Sequence, residues 1–150
     1  MKKTLSTLAL SLFALSGVVQ AADITVENAA GKQVVPQNPQ RVVVLDFGVA
    51  DTLRALGVQD KVVGFPQSSK IPAYLAEFAD KKYKNVGDLK EQSLEQINEL
   101  NPDLIIASKR QEKMLDKFKE IAPVLNVDYD YTNYYPSFQQ NVTALGQIFD

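Results

Sequence analysis

Residues Arg41–Phe65 read RVVVLDFGVADTLRALGVQDKVVGF, and the order of the parts decides the fold. Val42–Asp46 is a β-branched run of the length of a buried strand. Phe47-Gly48 turns the chain into ADTLRALG, where Leu53 and Leu56 share a helical face and Gly57 stands where a helix ends on a left-handed residue. A second β-branched run, KVVGF, comes at once. Strand, helix, strand in that order is the signature of parallel strands joined by a crossover helix.

The alternation continues downstream. Pro72 opens a short helix, PAYLAEF, and Lys81–Lys84 reads as a solvated basic turn ahead of Asn85-Val86-Gly87. Ser93 caps SLEQINEL with Gln96 as its capping-box partner, and Asn101-Pro102 breaks that helix. DLIIAS is another buried strand, EKMLDKFKEIA an amphipathic helix and VLNVD a further strand. Upstream, Ile24–Glu27 and Gln33–Val35 pair as a hairpin across Asn28-Ala29-Ala30-Gly31, and Pro36 and Pro39 close that unit. The prediction is an α/β fold, a lobe of βαβ units around a parallel sheet. Past the tyrosine-rich YTNYY, a helix starting at Pro136 or Ser137 places Phe138, Val142, Leu145 and Phe149 at helical spacing. It has neither a glycine cap nor a basic last turn, so it is expected to continue beyond Asp150.

A chain of 150 residues suits one domain. Its 16 basic and 18 acidic side chains, with 45% hydrophobic residues, fit neither a disordered chain nor a nucleic-acid binder. Residues 1–21 have the three parts of a signal peptide: Lys2 and Lys3, the apolar run Thr4–Val18, and Val19-Gln20-Ala21 before a cleavage point. The alternative, a membrane anchor, needs about 20 unbroken apolar residues, and Ser6, Ser11 and Ser16 interrupt this run. Cleavage after Ala21 removes two lysines and leaves 14 basic against 18 acidic groups, a net charge of −4. With no cysteine there is no disulfide, thiolate metal site or lipid-bearing cysteine, so the expected location is the periplasm, free of an anchor. With no histidine, a metal site would have only carboxylates, carbonyls or phenols, and the usual base for a nucleophile is missing.

In an open parallel sheet the ligand sits beyond the carboxyl ends of the strands. Two stretches fall there. Asp46-Phe47-Gly48 reads either as a cleft loop, with the free amides of the next helix offered to an anion, or as a plain strand-to-helix turn. Ser108-Lys109-Arg110-Gln111, with Lys113 beyond, gathers three cations, and an arginine fork addresses phenolate or carboxylate oxygens through two bonds. The alternative pairs these cations with Glu112, Asp116 or Glu120 on a solvated surface. Tyr129, Tyr131, Tyr134 and Tyr135 either stack on an aromatic ligand or form a seam under the last helix. Asn141-Val142-Thr143 matches a glycosylation pattern by chance.

PQRVVVLDFGVADTLRALG, VVGFPQSSKIPAYLAEF, VGDL, SLEQINELNPDLIIAS and KRQEKMLDKFKEIAPVL together resemble, in order and spacing, the N-terminal lobe of periplasmic iron-siderophore binding proteins, most of all those for ferric catecholates. The resemblance covers Asp23–Asp150. It implies two α/β lobes joined by a long helix, with the ligand clamped between them. Residues 22–136 would then be the N-terminal lobe and 137–150 the start of the connecting helix, with the second lobe outside this chain. The family's Ser-Gly-Arg-Gln segment puts the ligand-holding arginine at Arg110 and a rim lysine at Lys113, with Lys109 replacing the glycine. Phe47, Gln111 and Tyr134 complete the expected ligand contacts. The family's Leu-Glu-x-Ile segment makes Glu95 the contact to an ABC permease. The resemblance thus implies a receptor, monomeric when complete, for a ferric siderophore that brings its own iron, with no resident metal, no cofactor and no nucleic-acid partner. Haem, cobalamin or a carboxylate siderophore are alternative ligands. The reading from another class is a small exported flavodoxin-like enzyme using Asp46 or Asp51, for which the sequence supplies no nucleophile elbow, phosphate loop or carboxylate pair.

Overall fold

The computed structural model describes residues 22–150; residues 1–21, expected from sequence to be a signal peptide, lie outside the described residues. An antiparallel hairpin, β1 (Asp23–Asn28) and β2 (Gly31–Pro36), precedes the main sheet. That sheet contains β3 (Val42–Val44), β4 (Val62–Phe65), β5 (Lys84–Asn85), β6 (Leu104–Ser108) and β7 (Val124–Val127). All its pairings are parallel, in the order β5-β4-β3-β6-β7.

Alternation along the central strands builds a core on each face. Val42 and Val44 of β3 and Leu104 and Ile106 of β6 point to one face, while Val43 and Leu45, Ile105 and Ala107 point to the other. Every one of these residues is fully buried. Strands covered on both sides need continuous apolar runs, which is why VVVL and LIIA carry no polar residue. Helix α1 (Phe47–Ala55) covers the first face through Val49, Ala50 and Leu53. Helices α2 (Leu94–Glu99) and α3 (Leu115–Lys119) cover the second through Ile97 and Phe118. Gly57, at φ +74°, closes α1 as expected, and Ser93 Oγ accepts from Gln96 N at the start of α2.

Three elements depart from the sequence reading. Lys84–Asn85, expected at the end of a basic turn, is the edge strand β5, paired through Gly64 with Lys84 and Phe65 with Asn85. Two exposed polar residues carry no strand pattern; the neighbouring backbone of β4 recruits them. The helix expected over EKMLDKFKEIA is split into a tight 3-10 stretch, Lys109–Met114, and the short α3, with non-helical backbone at Gln111 (φ −103°, ψ 17°).

The last helix, α4 (Tyr134–Ile148), begins ahead of Pro136, which is tolerated in a first turn because no amide partner is required there. Its buried stripe is Ser137, Asn141, Ala144, Leu145 and Ile148, and it packs on β1 and α1 of its own lobe. Of the four apolar residues read at helical spacing, Leu145 is in the core, Val142 and Phe149 are half-buried, and Phe138 remains 37% exposed. Asn141 donates to Asp128 O (2.7 Å), and Ser137 Oγ donates to Tyr134 O and accepts from Asp130 N. The buried stripe starts polar, which a search for apolar periodicity passes over.

Candidate functional site

The strand order places one feature where a ligand site belongs. Strands β3, β4 and β5 run outward one way, then the chain returns to lay β6 on the other side of β3. The loops after β3 and β6 therefore diverge at a topological switch point, leaving a crevice at the carboxyl ends of the strands. A hollow of about 230 Å³ opens there, lined by Asp46 and Gly48 from the first loop, Ser108, Lys109 and Arg110 from the second, and Asp128, Tyr129, Tyr131 and Tyr134 from beyond β7.

Arg110 leaves the end of β6 exposed, and among the described residues no carboxylate lies within ion-pair distance of it or of Lys113. The pairing with Glu112, Asp116 or Glu120 does not form; Asp116 is held by Lys119 at 3.2 Å. Arg110 is shared by two further hollows of about 300 and 440 Å³. Both also include Lys90, and the larger includes Lys113. The basic rim thus has a cation that the sequence reading missed.

Lys90 rides on a tightly built turn. Asp88 Oδ1 accepts from Lys90 N (2.6 Å) and Glu91 N (2.8 Å), and these donors hold the Asp88 carboxyl below its ordinary range. Gly87, at φ +105°, leads into the turn, and Gln92 Nε2 donates back to Asp88 O. The Gly87-Asp88 pair is the available signal, since glycine followed by an Asx turn marks a loop. By itself it points nowhere, because β5, the strand that places this loop on the ligand side, has no strand pattern in sequence.

The remaining expected contacts divide. Lys109 lines the central hollow but lies 3.8 Å from Asp128 Oδ2, so its charge is partly answered within the lobe. Its backbone is not left-handed, so the missing glycine costs no strain here. Tyr134 lines the same hollow, stacked on Tyr129 (ring centroids 5.7 Å), Tyr131 (6.5 Å) and Phe138 (6.3 Å) in a continuous aromatic face. Burial, then the charge of Asp46, pushes the Tyr129 phenol well above the ordinary tyrosine range.

Two expected contacts are corrected. Phe47 is half-buried and stacks on Phe65 at 5.3 Å, at the end of an aromatic series continuing to Phe78 and Tyr83; it belongs to the core, not to the hollow. Gln111 is 2% exposed and its amide is spent on the lobe itself. Asp46 itself takes one of the α1 amides that an anion would use, its Oδ1 accepting from Val49 N at 3.1 Å. Asp51, the other aspartate of the enzyme alternative, pairs with Arg54 at 2.6 Å. Glu95 is exposed in the first turn of α2, whose far end feeds β6, so it lies toward the carboxyl-end side of the sheet. Among the described residues no cluster of acidic side chains suited to a metal ion occurs.

A doubly covered parallel sheet with cations gathered at its switch point has the architecture of one lobe of a binding protein. The chain belongs to the periplasmic binding protein family, whose sequence pattern matches residues 42–150. It is 44% identical over 129 residues to the petrobactin-binding protein YclQ of Bacillus subtilis, covering 85% of this chain and 40% of that one. The crystal structure of YclQ matches with a TM-score of 0.81 at 43% identity, covering 86% of this chain and 46% of that one. The periplasmic catecholate-siderophore binding protein VctP of Vibrio cholerae matches with a TM-score of 0.73 at 34% identity, over 85% and 46% of the two chains. The ferric-anguibactin-binding protein FatB of Vibrio anguillarum is 28% identical over 149 residues, 91% of this chain and 44% of its own. The chain spans less than half the length of these relatives.

Proposed function

We propose that this chain is the N-terminal lobe of a periplasmic receptor that captures a ferric siderophore, of catecholate type, and delivers it to an ABC importer. The observation that carries the reading is Arg110, held at the carboxyl end of β6, bordered by Lys90 and Lys113 and answered by no carboxylate among the described residues. Surface cations cost little while solvated, but several converging on one crevice demand an anion when a second lobe closes over it. A ferric catecholate meets both walls. Its anionic oxygens suit the basic rim, and its rings suit the stacked Tyr129, Tyr131 and Tyr134. The iron travels as cargo inside the chelate. The likeness to petrobactin-binding YclQ, catecholate-siderophore-binding VctP and ferric-anguibactin-binding FatB favours the same cargo.

The signal peptide would be removed after Ala21 to leave the receptor free in the periplasm, and Glu95 would meet the permease. The test is calorimetric titration of the two-lobed protein with a ferric tris-catecholate and, separately, a ferric trihydroxamate. Preference for the catecholate is expected. Equal binding of both, or of neither, refutes the assignment.

A further inference from the structure

Gln111 is expected at the ligand from sequence, yet its side chain is buried and fully engaged. Oε1 accepts from Ser108 N (2.9 Å) and Ser108 Oγ (3.2 Å), at the carboxyl end of β6. Nε2 donates to Leu89 O (2.8 Å), in the turn that presents Lys90, and to Leu45 O (3.3 Å), at the end of β3. One amide therefore ties together the three loops that border the crevice, and the residue before it in sequence is Arg110. The Lys90 turn has a second tether, from Leu89 N to Ser69 Oγ (2.9 Å). Like charges on Lys90 and Arg110 repel, and β5 beneath the turn is only two residues long, so the strand alone holds it weakly.

We propose that Gln111 is a positioning residue for ligand capture: its buried amide fixes the Lys90 turn against the Arg110 loop, setting the separation of the two cations. This role rests on the receptor function proposed for the lobe. The chemistry suits the task, because a primary amide is the side chain that both accepts from one loop and donates twice to others. Glutamate lacks the donors when ionised, and methionine fills the space without any of the bonds.

The experiment uses the two-lobed protein and has two readouts. Hydrogen exchange without ligand compares Lys90 and Glu91 amides with those of β4 in the parent, Gln111→Met and Ser69→Ala. Faster exchange confined to the turn is expected; unchanged protection in both variants overturns the proposal whatever the ligand does. Calorimetry with a ferric tris-catecholate then compares Gln111→Met, Lys90→Ala and the double variant. Loss of the hydrogen bonds that hold the Lys90 turn should weaken binding about tenfold, and that loss should largely vanish once Lys90 is gone. Equal losses with and without Lys90 show a merely structural role and overturn it. If Gln111→Met does not fold, Ser69→Ala paired with Lys90→Ala decides by the same comparison, its tether being a single bond in a half-buried loop. A parent that binds no catecholate while the turn loosens as expected refutes the receptor function and the capture role, leaving Gln111 only as the tie between loops.

Discussion

Replacing Arg110 with alanine separates its roles in the lobe and in the complex. In the lobe its side chain is exposed and has no ion-pair partner among the described residues, so the substitution should change stability by no more than about 0.5 kcal/mol. In the closed receptor the same guanidinium would face a multiply anionic chelate away from water. Truncating one partner of a desolvated charge pair costs about 2 to 5 kcal/mol, expressed mostly in the dissociation rate. That corresponds to a Kd raised by about 30-fold to several thousand-fold. Arg110→Lys should recover part of the loss, because lysine keeps the charge but not the two-pronged donor geometry. The assay is calorimetry with a ferric tris-catecholate, with stopped-flow release monitored by ligand absorbance, alongside a urea melt of each variant. An Arg110→Ala protein that melts like the parent and binds within error of it refutes the reasoning, for Arg110 would then be an ordinary surface charge.

Glu95→Ala should leave chelate affinity unchanged and slow uptake into cells, which transport of radio-iron set against calorimetry would check; a matching fall in affinity contradicts the docking role. Tyr129 gives a pH signature. Its phenol is kept neutral by burial, so at alkaline pH the unfolded chain releases a proton that the folded lobe retains. Stability is therefore intact below the ordinary tyrosine pKa of about 10 and falls as pH rises past it. Urea melts of the parent against Tyr129→Phe should show a steeper alkaline loss in the parent than in the variant. Gln33 is tied to β7 through Gln33 Nε2 to Asn126 O (2.8 Å) and Asn126 N to Gln33 Oε1 (2.8 Å), so Gln33→Ala should destabilise the lobe by about 1–3 kcal/mol in the same melts.

How far the sequence showed these features depended on whether each was written in apolar pattern or in geometry. VVVL and LIIA must be buried on both faces, and no other arrangement of such short runs with an intervening helix is as economical, so the parallel sheet was legible. From the sheet came the place of Arg110, because a residue just past a central strand has nowhere else to be. Strand β5 was illegible: Lys84 and Asn85 are polar and exposed, and their strand character comes from Gly64 and Phe65 beside them. The loss propagated, since without β5 the loop carrying Lys90 had no assigned side. Gln111 and Asn141 were misread or passed over for a related reason. Both are buried polar residues whose amide nitrogens donate well away in sequence, Gln111 Nε2 to Leu45 and Leu89 and Asn141 Nδ2 to Asp128. Distance in sequence hides such bonds, however short they are in space.

The two walls of the crevice differ in what supports them, and this bears on how the site works. The tyrosine wall is anchored by α4, whose stripe packs on the hairpin and α1, so its aromatic face is backed by a core. The basic wall is backed by hydrogen bonds: Asp88 within the Lys90 turn, Ser69 and Gln111 across it, and an ion pair from Asp128 to Lys109. A cluster of like charges cannot stabilise its own geometry, because each member pushes the others apart until an anion arrives. The carboxylate and amide groups around it supply that geometry without neutralising Arg110, Lys90 or Lys113, since among the described residues only Lys109 has an acidic neighbour within ion-pair distance at this rim. Neutral amides and a carboxylate turned onto backbone N–H groups are the means by which a lobe can hold cations in register and still leave their charge for a ligand.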